Sequence, residues 1–180
     1  MPELAVGESV LPSNLEQALA YQNDDIIYKF MENWSLPEED VRELFHETKK
    51  WIWLSGLSIA SRDKGGEGPV LMITQSMIML DEMWHTFILF TKEYQLFCKG
   101  FLGFYLNHSP TTRSQKEKEM AELQADPEGY QKNFEEKLSV QYSYIYDHLG
   151  EETLVKWYSD WTDKYTLEFL DTHRRNYWRN

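Results

Sequence analysis

Asp81 and His85 stand four residues apart in the run SMIMLDEMWHTFILFTKEYQLFCK, residues 76–99. On a helix that spacing sets a carboxylate and an imidazole one turn apart on the same face. Such a pair can ligate a divalent metal ion, and iron and zinc suit a His/carboxylate donor set. A 2-His-1-carboxylate iron site would need a third ligand. The same residues have a quieter use: Asp81 can fix the tautomer of a buried His85, whose other nitrogen bonds a backbone carbonyl or a tyrosine. A third use is metal-free acid/base chemistry or ligand binding. In a ligand site Trp84 and Tyr94, from the same helix, would help to shape the cleft.

Other chemical patterns are weaker. Glu43–His46 and Glu82–His85 are both E-x-x-H, the form found on paired helices of di-iron bundles. Glu43 and His46 lie off the apolar stripe of their helix and are expected to face water, and no further bridging glutamates can be placed on apolar faces. Cys98 is expected in the core as a small hydrophobe. It lies about 20 Å from His85 along one continuous helix, which excludes a Cys/His pair between the two. GGEG at 65–68 lacks the lysine and the flanking strand of a phosphate-binding loop.

The elements that would position these residues are helices. Residues 76–99 are apolar nearly all round, with Glu82, Thr86 and Glu93 as a narrow solvated strip, so they read as one buried central helix. A first helix begins at Ser13 or Asn14 and is open to a break at Asn23–Asp25. Ser35, Pro37 and Glu38 form an S-x-x-E capping box for a second, which runs to about Ser61. Its Ser55, Gly56 and Ser58 leave room for a close neighbour. Ser76 is expected to cap the central helix. Thr111–Asp126 is expected to be a solvated short helix. Asp126 and Pro127 open another helix whose face is Tyr130, Phe134, Leu138, Tyr142 and Ile145, and Gly150 ends it. Glu151–Lys164 is a short amphipathic helix. No segment alternates at period two, so the fold class is all-α: a single-domain bundle of five or six helices around the buried central one. Residues 1–12 form an extended lead-in, 13–170 the helical domain and 171–180 a basic aromatic tail whose Arg174, Arg175 and Arg179 dock on the acidic body.

Composition bounds the function. A formal net charge of −12 argues against nucleic acid and anionic membrane surfaces as partners. One cysteine gives no disulfide framework and suits a reducing compartment. MPELAVGESV has neither a basic nor an apolar leader region, so no signal peptide is expected and the cytoplasm is the expected location. Seven Trp and eleven Tyr imply an aromatic core, with some rings lining a ligand cleft or a protein interface.

Asp81, Trp84, His85 and Thr86, then a hydrophobic run, Tyr94 and Cys98, spell D-x-x-W-H-T…Y…C. A glycine turn and the H-x-P of His108–Ser109–Pro110 follow. In this pattern the chain resembles the glycine-rich domain-containing protein-like family, a domain of unknown function, and its bacterial-type members in particular. The resemblance is specific over residues 71–110 and extends back to about 36. Plant relatives carry a second histidine after the His-Thr; Phe87 stands there here, so a two-histidine site of that kind does not carry over. The resemblance implies a helical domain and points to His108 as the third ligand. From His85 to Gly100 a straight helix rises about 22 Å, and the eight residues to His108 span at most about 26–29 Å. His108 therefore returns to His85 only if the connector runs nearly straight back along the helix.

The sequence thus leads to a small cytoplasmic helical protein with a buried Asp/His site. That site binds a metal (iron or zinc at Asp81, His85 and His108) or a small ligand, and Lewis-acid or oxidative chemistry would suit it if the protein is an enzyme. The alternative is a non-enzymatic module with a protein partner, in which Asp81–His85 is a structural buried pair.

Overall fold

Asparagine caps open the first two helices. In the computed structural model, which describes residues 14–175, the Asn14 side chain accepts from the Glu16 amide to start α1 (Leu15–Leu19). Asn23 does the same for Asp25 and starts α2 (Asp24–Asn33), so the break expected at 23–25 is present. The C-terminal end of α1 is held by Lys49, whose ammonium donates to the carbonyls of Leu19 (2.7 Å) and Tyr21 (2.6 Å) and lies over the Phe45 ring.

The next helix, α3 (Glu38–Asp63), starts without the expected capping box. Leu36 precedes a proline and is thereby disfavoured in helical conformation. The Ser35 amide instead donates to the His173 carbonyl at 2.8 Å, beside a bridge between Trp34 and Arg174. The acidic first turn of α3 remains, and Arg42 ties its Glu38 to Asp24 of α2. A Cβ at Gly56 would lie 2.8 Å from a Leu102 methyl, so this glycine admits the close neighbour anticipated for it.

The expected single central helix is two helices. Gln75–Met77 form a 3-10 turn in place of a cap at Ser76, and α4 (Ile78–Leu89) and α5 (Thr91–Phe101) meet at Phe90, whose ψ of 63° is non-helical. Phe87 and Phe97 are ten residues apart and would be separated by about 15 Å along a straight helix. Their rings are 5.3 Å apart. Thus α5 folds back on α4, and Phe87, Tyr94 and Phe97 bury one another. Thr86, expected in the solvated strip, is buried and donates to the Glu82 carbonyl, while Leu89 and Leu96 are exposed.

α6 (Arg113–Ala125) is solvated as expected, with no buried residue, and starts in a capping box between Thr112 and Gln115. α7 (Pro127–Val155) begins on the Asp126 cap and is interrupted at Gly150, where φ is +82°. A π-helical turn (Lys156–Asp160) leads into α8 (Trp161–Lys164) and α9 (Leu167–His173). The amino-terminal half of α7 and all of α6 stand off the body. The helix enters the core at Gln141, its first buried residue, whose side-chain amide accepts from the Met72 N–H (2.7 Å) and donates to the Met72 carbonyl (2.8 Å). Beyond it Trp157 packs edge-on to Trp51 and donates to the buried Glu47, which also holds Lys50 and Lys156.

One apolar cluster joins α1 to α8, so the chain is an all-α single domain, cut into more pieces than five or six. Arg174 lies over the Trp34 ring and the Arg175 amide donates to Asn33, which docks the start of the tail; α9 itself runs through residue 171. Residues 1–13, which include the lead-in and Ser13, and 176–180 with Arg179 lie outside the described residues. Among the described residues no helix is long and apolar enough to cross a membrane.

Candidate metal centre

α4 carries Asp81, Trp84 and His85 side by side. What brings His108 to them is a set of attachments under the connector that follows α5. Leu102 is buried against Gly56, and Gly103 turns the chain at a φ of +82°, which favours glycine. Leu106 is buried, and its carbonyl accepts from the Tyr94 hydroxyl at 2.8 Å. That hydroxyl in turn accepts from the Trp84 indole N–H at 3.0 Å. Two residues beyond Leu106, the His108 ring stacks on Trp84 with centroids 4.2 Å apart. The backward run of α5 removes the demand for a straight connector, because the chain has already returned toward α4 before residue 100.

Three donor groups converge as a result. His108 Nε2 lies 3.2 Å from Asp81 Oδ1 and 2.9 Å from His85 Nε2, and His85 Nδ1 lies 3.8 Å from Asp81 Oδ2. One ligand atom from each residue falls within 4.8 Å of the others, and among the described residues this is the one such group. Hydrogen bonding alone serves the arrangement poorly. A single proton on His108 Nε2 has to be shared between an oxygen and a nitrogen acceptor, whereas a cation among these atoms meets lone pairs from all three.

The site is not the buried pair expected from the apolar surroundings in sequence. The His85 side chain is 51% exposed, Asp81 22% and His108 16%. Because α4 ends at Phe90, its apolar surface is covered by α3 and α5, and the Asp81–His85 face is left toward solvent. A polar staple is needed where burial makes an unpaired group costly; half-exposed His85 does not meet that condition, while Asp81 and His108 are partly buried. The two residues nominated for the ligand cleft separate. Trp84 lines the groove and forms the platform under His108. Tyr94 is fully buried beneath the site and positions Trp84 and the connector. Its burial pushes the phenol far above its ordinary pKa, so it stays a neutral donor.

Cys98 is buried beside Tyr94, and burial raises its thiol, which keeps it protonated and a poor nucleophile. His108 directs its Nε2 to Asp81 and His85 instead. Glu43 pairs with Lys156 at 2.8 Å, which holds its carboxyl below the usual range, while burial pulls His46 down. Neither belongs to the converging group. Trp34, Trp51, Trp84, Trp157 and Trp161 are buried, which puts most of the described indoles in the core.

A groove of about 1140 Å³ adjoins the triad. Its floor includes Trp51 and Ser58 of α3, its near end Asp81, His85 and His108, and its far wall is built by α6 and α7. The polar wall was not anticipated as part of a site. The signal was the absence of an apolar stripe on α6, which leaves its faces free for water or a ligand.

Residues 59–146 match the UCP032817-like family model. The match covers just under half of the chain and includes α4, the connector with His108, α6 and α7 as far as residue 146. No curated protein and no solved structure matches the chain. The family description names no activity, so function is argued from the site itself.

Proposed function

We propose that the chain binds a divalent transition-metal ion through Asp81, His85 and His108, and that the ion acts on a ligand held in the adjoining groove. The observation that carries this reading is the convergence of a carboxylate and two imidazoles, 23 residues apart in sequence at His85 and His108, within 4.8 Å. Two histidines and one carboxylate are a donor set used by iron(II) and by catalytic zinc, both of which keep positions open for substrate or water. The exposed edge at His85 and the groove beside it support that use. A bound ion would supply Lewis-acid or oxidative chemistry. The chain's own part is to aim the donors: Trp84 orients the His108 ring, and Tyr94 fixes Trp84 and the Leu106 backbone. The glycine-rich domain-containing protein-like resemblance belongs with this reading, since its D-x-x-W-H-T and H-x-P motifs supply all three ligands and the platform.

Metal analysis by plasma mass spectrometry tests it, on protein purified without an affinity-metal column beside the Asp81→Asn/His85→Ala double variant. Near-stoichiometric iron or zinc in the native chain, absent from a variant that retains its circular dichroism, is the expected result. No metal after reconstitution with iron(II) and zinc overturns the reading.

A further inference from the structure

The outer wall of the groove has an unusual surface. From α6, Gln115, Lys118, Glu119 and Glu122 line it, and from α7, Tyr130, Asn133, Phe134 and Lys137. Each set has the spacing i, i+3, i+4, i+7, which is one face of a helix. On a helix that packs against its own domain this face is apolar. Here it is mostly polar and charged although it looks across at the body, so it borders a solvent-filled space and not a packing interface.

The charges on this wall are graded. α6 starts four residues after His108, at Thr112, so its first turn is the end nearest the triad. Lys116 is in that turn and lines the groove. Lys137 is eleven residues past the Asp126 cap and Lys116 ten before it, so each stands roughly 15 Å along its helix from the turn, and both line the groove. Glu119 and Glu122 lie farther toward the tip, and Glu122 is paired with Lys118 at 3.7 Å. Arg62 enters from α3, anchored to the Pro69 carbonyl. Lys116 and Lys137 have no carboxylate partner among the described residues. In a chain of net charge −12, unpaired cations gathered at one end of a groove focus a positive potential where the rest of the surface repels anions.

We infer that the groove takes a small anionic ligand, a carboxylate or a phosphate, with its charged group between Lys116 and Lys137 and its other end at the Asp81–His85–His108 triad. This rests on the metal reading for what happens at the second end and on the lysines alone for the first. Anion capture by two flexible side chains is exchangeable and salt-sensitive, which suits a turnover site.

The test is titration calorimetry of the zinc-reconstituted full chain with inorganic phosphate and with succinate, glycerol serving as the uncharged control. The Lys116→Gln/Lys137→Gln variant is measured in parallel, with zinc content determined for both. Both lysines are exposed, so the variant is expected to retain the fold, which circular dichroism checks. Expected are binding of at least one anion and none of glycerol, a loss of roughly five- to tenfold in affinity in the variant, undiminished zinc, and weakening with added salt. No anion binding, or equal affinity in the variant, overturns the inference and leaves the metal site standing. If the native chain holds no zinc, the metal reading falls, and the same titration still decides the groove: lysine-dependent binding supports it, and lysine-independent or absent binding overturns it.

Discussion

The two sides of the groove are built on opposite principles. On one side α4, α5 and the connector pack Phe87, Tyr94 and Phe97 into a nest of edge-on rings and hold Leu106 by a buried hydroxyl. On the other side α6 buries nothing, and α7 enters the core only at Gln141. Ligand atoms for a metal would have to be fixed to within a fraction of an ångström, and the converging Asp81, His85 and His108 donors sit on the packed side. Residues that meet a ligand's outer groups tolerate motion, and they sit on the solvated side. Interior packing is therefore concentrated where position matters chemically.

Three experiments would break or sharpen this contrast. The largest effect lies in the core behind the packed side, at Lys49 of α3. Burial pulls its ammonium down to about 8, below the ordinary lysine value. Between that value and the unfolded pKa near 10.4 the unfolded chain binds more protons than the folded one, so stability rises with pH across this window. The penalty is fully present below about pH 8 and is at most about 3 kcal/mol, because two carbonyls compensate part of it. Above about pH 9 the buried Cys98 thiol, and above about pH 10 the buried tyrosines, act in the opposite direction. Tyr94 and Tyr165 are raised and Tyr158 is pushed up to about 12, so the unfolded chain loses these protons first and stability falls. Urea unfolding from pH 7 to 11 should show a rise followed by a fall, and Lys49→Met should remove the rise. A monotonic decline in the native chain would contradict the buried ammonium.

Next in size is Tyr94→Phe. It leaves the Trp84 indole N–H and the Leu106 carbonyl without their partner and should cost about 1–3 kcal/mol. Because the Tyr94–Leu106 hydrogen bond holds the connector that carries His108, zinc affinity at the proposed site should also drop by about tenfold or more. Stability lost with affinity unchanged would mean that the connector holds its place without the hydroxyl. The smallest effect belongs to the outer wall. Met120→Ala, at an exposed position of α6, should shift stability by under about 0.5 kcal/mol. A loss of 2 kcal/mol there would show that the hairpin is packed after all.

Much of the scaffold was legible in local sequence. Asn23, Asp126 with Pro127, and Gly150 mark helix ends because capping, a missing N–H and a positive φ are local properties. The three residues whose donor groups converge, Asp81, His85 and His108, were also singled out from the sequence, two by helical spacing and one by resemblance. What escaped was tertiary. Nothing in Phe90 forbids a helix. The break there arises because Phe87, Tyr94 and Phe97 bury more surface against one another than a straight rod allows, and neither propensity nor periodicity carries that information. The Asp81–His85 pair, expected to be buried, has a half-exposed His85 and a partly buried Asp81. Ser35 failed as a cap for a similar reason: its amide is engaged by His173, far away in sequence.

The double amide contact between Gln141 and Met72 has a mechanical consequence. Met72 belongs to the inner lining of the groove, and Gln141 sits where α7 leaves the body. A side chain that grips one residue at both its N–H and its C=O, in two successive peptide groups, resists sliding and twisting together, as a rivet does and a single pin does not. A force on α7 is therefore carried through Gln141 to Met72, which lines the opposite side of the groove, so this contact ties the two faces together.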